Sequence, residues 1–525
     1  MSNEKYRFSD RTCEHNRVSI EQSLRLLPSK GVRMMTPKLP YMAADVVESE
    51  RPVPALEPRA TAAAAHLQSA EAVLLISHID ADGLSSAAIA AQALQRAEIS
   101  CEVSFAKQLD ENKISAIANA EHDTVLFTDF GSGQLDLIEP HIRTGAFSAV
   151  VADHHQPANS PTTDALYHLN PLCVGIDGAA ELSGAGTTYA LARALEASSR
   201  QNCDLAALAV IGAVGDMQGT PAGLSGANEQ IVTEAIEAGV LESTTDLLMY
   251  GRQTRPLPKL LEYAGDVQIP GITSNSRGVN EFLSGLEFPL RADGEWRRWV
   301  DLTREERQIL VNNLLRRAIS TGVPADRIND LIGETYILSN EDSGTELRDV
   351  SEFSTLLNAT ARYERADVGL AVCLGNRGAA LTRAQTLLRN HRQNLSEGVQ
   401  WVQQEGTTIE TNLQWFDAGN QIRETIIGII AGMSIGSEDI RGDLPILAFA
   451  RQSESMLKVS ARGSYGLVNE GLDLSAVMSK SATAVGGEGG GHDIAAGATI
   501  PVDKKANFLQ HADGQIGTQL HHEDH

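Results

Sequence analysis

The chain has 525 residues, 42% of them hydrophobic, and a formal net charge of −25 at neutral pH. That length suits two or three domains with sizeable cores. The charge argues against tight, nonspecific binding of duplex nucleic acid through a broad basic face. There is no apolar run of about 18 residues, so no membrane span is expected, and residues 1–10 lack the apolar stretch of a signal peptide. The five cysteines (Cys13, Cys101, Cys173, Cys203, Cys373) include no CxxC pair. That speaks against a disulfide framework or zinc ribbon and fits a reducing cytoplasm. Arginine outnumbers lysine 33 to 10; an acidic, arginine-rich surface fits a salty cytoplasm, where hydrated carboxylates keep the chain soluble.

Residues 1–60 are broken by Pro28, Pro37, Pro40, Pro52, Pro54 and Pro58 and read as an irregular arm with one short helix over 20–27. From Thr61 the pattern turns regular. An alanine-rich helix over 61–69 precedes a strand over 72–76 and a helix over 85–95. Strands follow over 101–105, 124–127 and 147–151. Strands alternating with helices predict an α/β domain over 61–250 with a doubly wound parallel sheet. The run 205–214 is a buried helix or strand; periodicity does not decide. Thr303-Arg304-Glu305-Glu306 is a capping box opening a helix with Leu310, Leu314 and Ala318 on one face, so 251–328 reads as a small, mostly helical insertion. Tyr263, Phe282, Trp296 and Trp299, in or near it, are expected to pack in a core. A second, smaller α/β domain is expected over 329–505. It has a strand near 334–338, a helix over 351–362, a strand over 368–372 and a long helix over 379–403. Strands over 445–449 and 457–461 precede a glycine-rich loop at 486–491. Residues 506–525 read as a polar, frayed tail.

Four segments carry acids and histidines where strands or apolar runs end: Ser77-His78-Ile79-Asp80-Ala81-Asp82-Gly83, Phe127-Thr128-Asp129-Phe130-Gly131, Ala152-Asp153-His154-His155-Gln156-Pro157 and Ala213-Val214-Gly215-Asp216. Ligands in doubly wound sheets sit outside the carboxyl ends of the strands, so chain order alone brings these groups together. Gly83 allows a tight turn, and Ser85 is placed to cap the next helix. Adjacent histidines point in different directions, so one of His154 and His155 can bind metal while the other meets a phosphate oxygen. Oxygen and imidazole donors without thiolate suit manganese, with magnesium a weaker fit. Two ions about 3.5–4 Å apart sharing a carboxylate would activate water and stabilise the leaving oxygen of a phosphate ester. In Gly486-Gly487-Glu488-Gly489-Gly490-Gly491-His492, exposed backbone N–H groups can cradle an anion and His492 adds a donor. Arg462, at the end of an expected strand, can hold a second phosphate bidentately.

These motifs, in this order, resemble the DHH phosphoesterase superfamily, whose name matches Asp153-His154-His155. Within it the chain resembles the archaeal RecJ-like single-strand exonucleases. The stretches that carry this likeness are Gly175-Ile176-Asp177-Gly178, Leu182-Ser183-Gly184-Ala185-Gly186, Gly251-Arg252-Gln253-Thr254-Arg255-Pro256, Leu347-Arg348-Asp349, Glu352-Phe353-Ser354-Thr355-Leu356-Leu357-Asn358 and Lys458-Val459-Ser460-Ala461-Arg462. The resemblance implies a DHH domain followed by a DHH-associated domain over about residues 70 to 505. It implies two divalent cations, manganese preferred, held by His78, Asp80, Asp82, Asp129, His154 and Asp216, with Asp129 bridging. His155 would contact the scissile phosphate, so His155, Asp153 and Asp129 form the expected catalytic set. Arg462, Gly489, Gly490, Gly491 and His492 would bind substrate phosphates. The implied activity is hydrolysis of single-stranded DNA or RNA in replication or repair. The alternatives are a nano-RNase or cyclic-dinucleotide phosphodiesterase, and a scaffold associating with GINS and the replicative helicase. Bacterial RecJ has an acid where this chain has His78, which brings this chain nearer to the short-oligonucleotide branches. Aromatic residues make up only 5% of the chain, so few platforms for stacking bases are expected.

Overall fold

The computed structural model describes Val18–Ser19 and residues 51–520, apart from 197–199, 266 and 438–439; the helix expected over 20–27 lies outside the described residues. The chain divides into two compact units, Met1–Gln385 and Thr386–His525.

The first unit is built on a six-stranded sheet. Its elements are β1 (Val18–Ser19), α1 (Glu57–Gln68), β2 (Ala72–His78), α2 (Ala81–Arg96), β3 (Ser100–Ala106), α3 (Glu111–Ala118), β4 (Thr124–Thr128), α4 (Leu135–Arg143), β5 (Ser148–Ala152) and β6 (Leu166–Leu169). The order is β1-β3-β2-β4-β5-β6. Every pairing is parallel except that of β1 with β3. The strands are near-continuous apolar runs because both faces are covered. Leu74, Ile76, Val125, Phe127, Ala149 and Val151 turn to one face, against Ile114 and Ile117 of α3 and Leu135, Ile138 and Ile142 of α4. On the other face α2 packs on β2 and β3, and α1 on β6. β3 lies to one side of β2 and β4 to the other. The strand order therefore reverses between the carboxyl ends of β2 and β4, where such sheets open a crevice.

Next come α5 (Gly184–Ala194), α6 (Ala206–Gly215) and α7 (Ala227–Glu237). The ambiguous run 205–214 is thus helical, and α6 is apolar all round because α2, α5 and α7 surround it. β7 (Leu241–Leu247) pairs antiparallel with a strand almost ninety residues later, β10 (Ile332–Leu338). Between them lie α8 (Leu257–Glu262), α9 (Ser276–Ser284), the hairpin β8 (Arg291–Ala292) and β9 (Glu295–Trp296), α10 (Arg304–Ser320) and α11 (Ala325–Asn329). This segment has its own core, including Leu257, Leu260, Val279, Leu283, Leu310 and Leu314. The Thr303 capping box forms as read, with Glu306 N–H donating to Thr303 Oγ1 at 3.2 Å and Thr303 N–H to the Glu306 carboxylate at 2.8 Å. Trp299 is buried there, and Phe282 and Trp296 pack at its edge. Tyr263 departs from the expectation of core packing and is 53% exposed.

The second α/β domain does not begin at 329. β10 belongs to the first unit through β7, α12 (Val350–Arg362) packs on α2 and α6, and α13 (Ala366–Cys373) packs on α2 and α12. The segment expected as a strand over 368–372 lies inside α13. A short apolar run buried on all sides carries no period that separates the two structures. α14 (Ala379–Glu405) follows.

The second unit contains β11 (Thr408–Ile409), β12 (Gln414–Asp417), α15 (Ile427–Ser434), β13 (Ile446–Arg451), β14 (Met456–Arg462), α16 (Tyr465–Asn469), α17 (Leu474–Thr483), β15 (Glu488–Gly491), β16 (Ala495–Pro501) and α18 (Lys505–Leu520). The sheet order is β11-β12-β13-β14-β16-β15. It is mixed, since only β12 and β13 run parallel. Leu447, Phe449, Val459 and Ala498 face α17 and α18, while Ile446, Ala448 and Ala450 face α15 and Val402. Two expectations are corrected here. The glycine run is an edge strand rather than a loop, because β16 supplies a ladder that offsets glycine's poor strand propensity. Residues 505–520 form a helix rather than a frayed tail, because Phe508, Leu509, Ala512 and Ile516 are buried in the core of this unit.

Candidate metal centre

The crevice between β2 and β4 gathers the acids. β2 ends at His78. Asp80 is the N-cap of α2 and accepts Gly83 N–H at 3.0 Å, so the helix opens at Ala81 and Ser85 lies inside it instead of capping it. Asn358 on α12 accepts the otherwise free Ala81 N–H at 3.0 Å. Asp82 is buried in the first turn of α2 and accepts the N–H groups of Gly184 and Ala185 at 2.8 and 2.9 Å. Those are the leading N–H groups of α5, a place where a negative charge is favoured. Asp129 follows β4 with φ 62°, left-handed for a non-glycine residue. Its Oδ2 lies 3.4 Å from His78 Nδ1 and its Oδ1 3.3 Å from His154 Nε2. One carboxylate thus faces two imidazoles.

Around Asp129 the donors fall into two groups. His78, Asp80 and Asp129 form one; Asp82, His154 and Asp216 form the other. His78 Nδ1 is 3.0 Å from Asp80 Oδ2, and His154 Nε2 is 3.8 Å from Asp82 Oδ2. The structure therefore brings together all of the residues expected as metal ligands. Asp129 Oδ1 and His154 Nε2 are buried with no hydrogen-bond partner. Buried polar atoms are rarely left so, and a divalent cation between oxygen and imidazole donors would satisfy both.

Surrounding groups, not anticipated from the sequence, orient the ligands. His154 Nδ1 meets the Gly178 carbonyl at 2.6 Å. With Nδ1–H donating there, Nε2 keeps its lone pair for the cluster. Gln218 Nε2 donates to the same carbonyl and to Asp216 Oδ2, both at 2.9 Å, while its Oε1 accepts from Asn228 at 2.6 Å. The one sequence signal for Gln218 was its position two residues after Asp216. Nothing marked Asn228.

The charges respond to this crowding. Burial alone would lower His78, but Asp80 and Asp129 outweigh it and raise its pKa well above the ordinary imidazole value. His154 behaves likewise through Asp129, Asp82 and Asp216. Burial, then Asp129 and Asp216, push Asp82 well above the carboxylate range. Burial, offset in part by His154 and reinforced by Asp129 and Asp80, pushes Asp216 up to about 6. Burial would raise Asp80 too, but His78 outweighs it and its pKa falls below the usual range. Like charges this close do not all ionise without a counter-cation.

Asp153 and His155 take a different arrangement. Asp153 is fully buried. Its Oδ1 accepts His154 N–H at 2.8 Å and lies 2.8 Å from His155 Nδ1, and its Oδ2 accepts Ser132 N–H at 2.8 Å. Asp153 also lies close to Asp129, His154 and His155, but its oxygens are already engaged. It orients the imidazole of His155, whose side chain is 57% exposed. The hydrogen bond to Asp153 raises the His155 pKa, against burial. Behind them, Ser132 Oγ meets His168 Nε2 at 2.9 Å, and Asn170 Nδ2 donates to Ser132 Oγ and the His155 carbonyl at 2.9 and 2.8 Å.

The phosphate binders expected from the sequence lie in the second unit. Arg462 ends β14 opposite Ala495 and donates from Nη1 to the Ala461 carbonyl at 2.8 Å. Gly489, Gly490 and Gly491 pair with Ala498, Gly497 and Ala496. His492 is exposed, and its N–H donates to the Ala495 carbonyl at 2.9 Å. Arg462 and His492 thus share one end of that sheet.

Protein-family models match three segments in succession: the DHH family N-terminal domain over residues 72–213, the DHH-CID domain over 249–332 and the DHHA1 domain over 411–518. An uncharacterized protein of Methanocaldococcus jannaschii is 29% identical over 453 residues, 85% of this chain and 94% of that one. Among solved structures, RecJ of Thermus thermophilus in complex with Mn2+ is similar with a TM-score of 0.55 at 15% identity, over 88% of this chain and 55% of that one. The present chain therefore spans little more than half of that RecJ. A second structure, exonuclease RecJ bound to manganese, gives 0.54 at 15% identity over 89% of this chain and 96% of that one. CDC45 from Entamoeba histolytica gives 0.58 at 11% identity over 88% and 97%. At such identities these likenesses speak to the fold. With its parallel-sheet domain and its smaller mixed-sheet domain each matched in chain order, the chain belongs to the DHH phosphoesterase superfamily.

Proposed function

We propose that the protein is a metal-dependent exonuclease that hydrolyses phosphodiester bonds of single-stranded DNA, and of RNA as a second substrate, in replication or repair. The observation that carries this reading is Asp129, whose two oxygens face His78 and His154, at 3.4 and 3.3 Å. That arrangement suits a carboxylate bridging two cations, manganese preferred and magnesium the alternative. When bound, such ions supply a nucleophilic water at neutral pH and Lewis acidity toward the phosphate. Asp80 with His78 would hold one ion, and Asp82 with His154 and Asp216 the other. His155, exposed and hydrogen-bonded to Asp153, would donate to a non-bridging phosphate oxygen. Arg462, His492 and the Gly489–Gly491 backbone bind further phosphates of the strand.

The fold shared with CDC45 favours a second reading, in which the protein also associates with GINS or the replicative helicase. The complete donor set around Asp129 supports the enzymatic role. The test uses DNA and RNA strands labelled at either end, with manganese or magnesium. Shortening from one end supports the exonuclease. Cleavage confined to dinucleotides or cyclic dinucleotides would favour a nano-RNase or cyclic-dinucleotide phosphodiesterase. No cleavage by the manganese-loaded protein would refute the enzymatic reading.

A further inference from the structure

The C-terminus of α6 closes in a Schellman motif: Met217 N–H donates to the Val214 carbonyl at 3.1 Å and Gln218 N–H to the Ala213 carbonyl at 3.0 Å. The residue after the cap in this motif adopts the left-handed conformation and is usually glycine. Here it is Met217, with φ 60°. The other described non-glycine residues at positive φ are Glu98, Asp129, Arg200, Ser274, Asp293 and Glu364. All of those are polar or charged, so Met217 is the apolar exception. Its side chain gains no burial in return, since it is 88% exposed. Neither local backbone preference nor core packing accounts for a methionine here. Its neighbours locate it functionally. Asp216, immediately before it, belongs to the donor cluster, and Gln218, immediately after it, is buried against Asp216 and Gly178. The intervening side chain turns outward beside the cluster.

We infer that Met217 is a substrate-contacting residue, its thioether lying against the face of a nucleobase next to the scissile phosphate. This rests on the nuclease reading above and deepens it, because it assigns recognition of the base to a residue of the first unit. A flexible, polarizable thioether contacts aromatic faces without selecting among them. That suits sequence-tolerant binding by a chain with few aromatic residues.

The experiment compares manganese-dependent cleavage of a single strand by the full-length protein with cleavage of the same strand carrying abasic ends. The wild type is expected to show a KM about three- to tenfold lower for the strand with bases, the size of a sulfur–aromatic contact. Met217→Gly is expected to lose that preference by raising KM on the strand with bases, and Met217→Leu to keep only part of it, since leucine retains an apolar contact and lacks the sulfur. The Tm of the glycine variant should equal or exceed that of the wild type, since glycine suits the left-handed position. An unchanged preference in Met217→Gly, with the wild type active, would overturn this assignment alone. A wild type that cleaves neither strand would overturn the nuclease reading and the assignment together.

Discussion

Gly184→Ala places one methyl group against the carboxylate at the middle of the cluster. A Cβ at this position would stand 2.4 Å from Asp129 Oδ1, 2.8 Å from its Cβ and 2.9 Å from its Cγ. The backbone of Gly184 is not left-handed, so alanine is tolerated conformationally and the effect is steric. Restoring ordinary contact moves the carboxylate by roughly 1 Å, whereas metal–ligand distances hold to about 0.2 Å. Asp129 Oδ1 then leaves the position that faces His154 Nε2 at 3.3 Å. A misplacement of that size costs about 100-fold in rate, equivalent to about 2.7 kcal/mol of transition-state stabilisation. The assay is kcat/KM on an end-labelled single strand in manganese, with manganese stoichiometry by equilibrium dialysis and folding by circular dichroism. The expected result is a folded protein with fewer bound ions and about 100-fold lower kcat/KM. A folded variant with wild-type rate and stoichiometry would refute the bridging role of Asp129.

Three further outcomes follow from the same geometry. Asp129→Ala should abolish hydrolysis while leaving the protein folded, because the carboxylate that faces both His78 and His154 is lost; substantial activity retained in manganese would contradict a shared carboxylate. Arg462→Ala and His492→Ala should raise KM while leaving manganese affinity unchanged, and an equal loss of metal affinity in titration calorimetry would show that they are misassigned. Burial, opposed by Asp153 and aided by Arg59, lowers His168 to about 4. Its neutral form is thus favoured on folding, so the stability it contributes is full above about pH 6.5 and is lost as pH falls toward 4, by up to about 3 kcal/mol. Urea denaturation across that window should show a steeper loss for wild type than for His168→Gln, and parallel curves would count against the effect.

Much of the site was legible because β2, β4 and β5 are parallel neighbours and their carboxyl ends follow one another in the sequence. His78, Asp129 and His154 therefore had to converge once the strands were recognised. The role of Asp153 was not legible. It lies within the motif, but only the structure shows its oxygens taken up by Ser132, His154 and His155. The edge between the units was misplaced because the partner of β10 is β7, across the whole intervening segment, and no local signal marks so distant a pairing. The final helix was legible and went unread: Phe508, Ala512 and Ile516 recur at every fourth residue, a helical stripe under a polar composition. The glycine strand was beyond propensity altogether, since its structure is imposed by β16.

The Gly178 carbonyl has a consequence for how this centre is probed. His154 and, through Gln218, Asp216 both depend on that single main-chain oxygen. No side-chain truncation removes it, so a scan that replaces residues with alanine and skips the glycines would leave the anchor unseen. Gly178 itself cannot accept even a methyl group without displacement, because a Cβ there would stand 2.1 Å from the His154 carbonyl oxygen. The orientation of two ligands is thereby written into the path of the backbone, where ordinary mutational mapping has least to report.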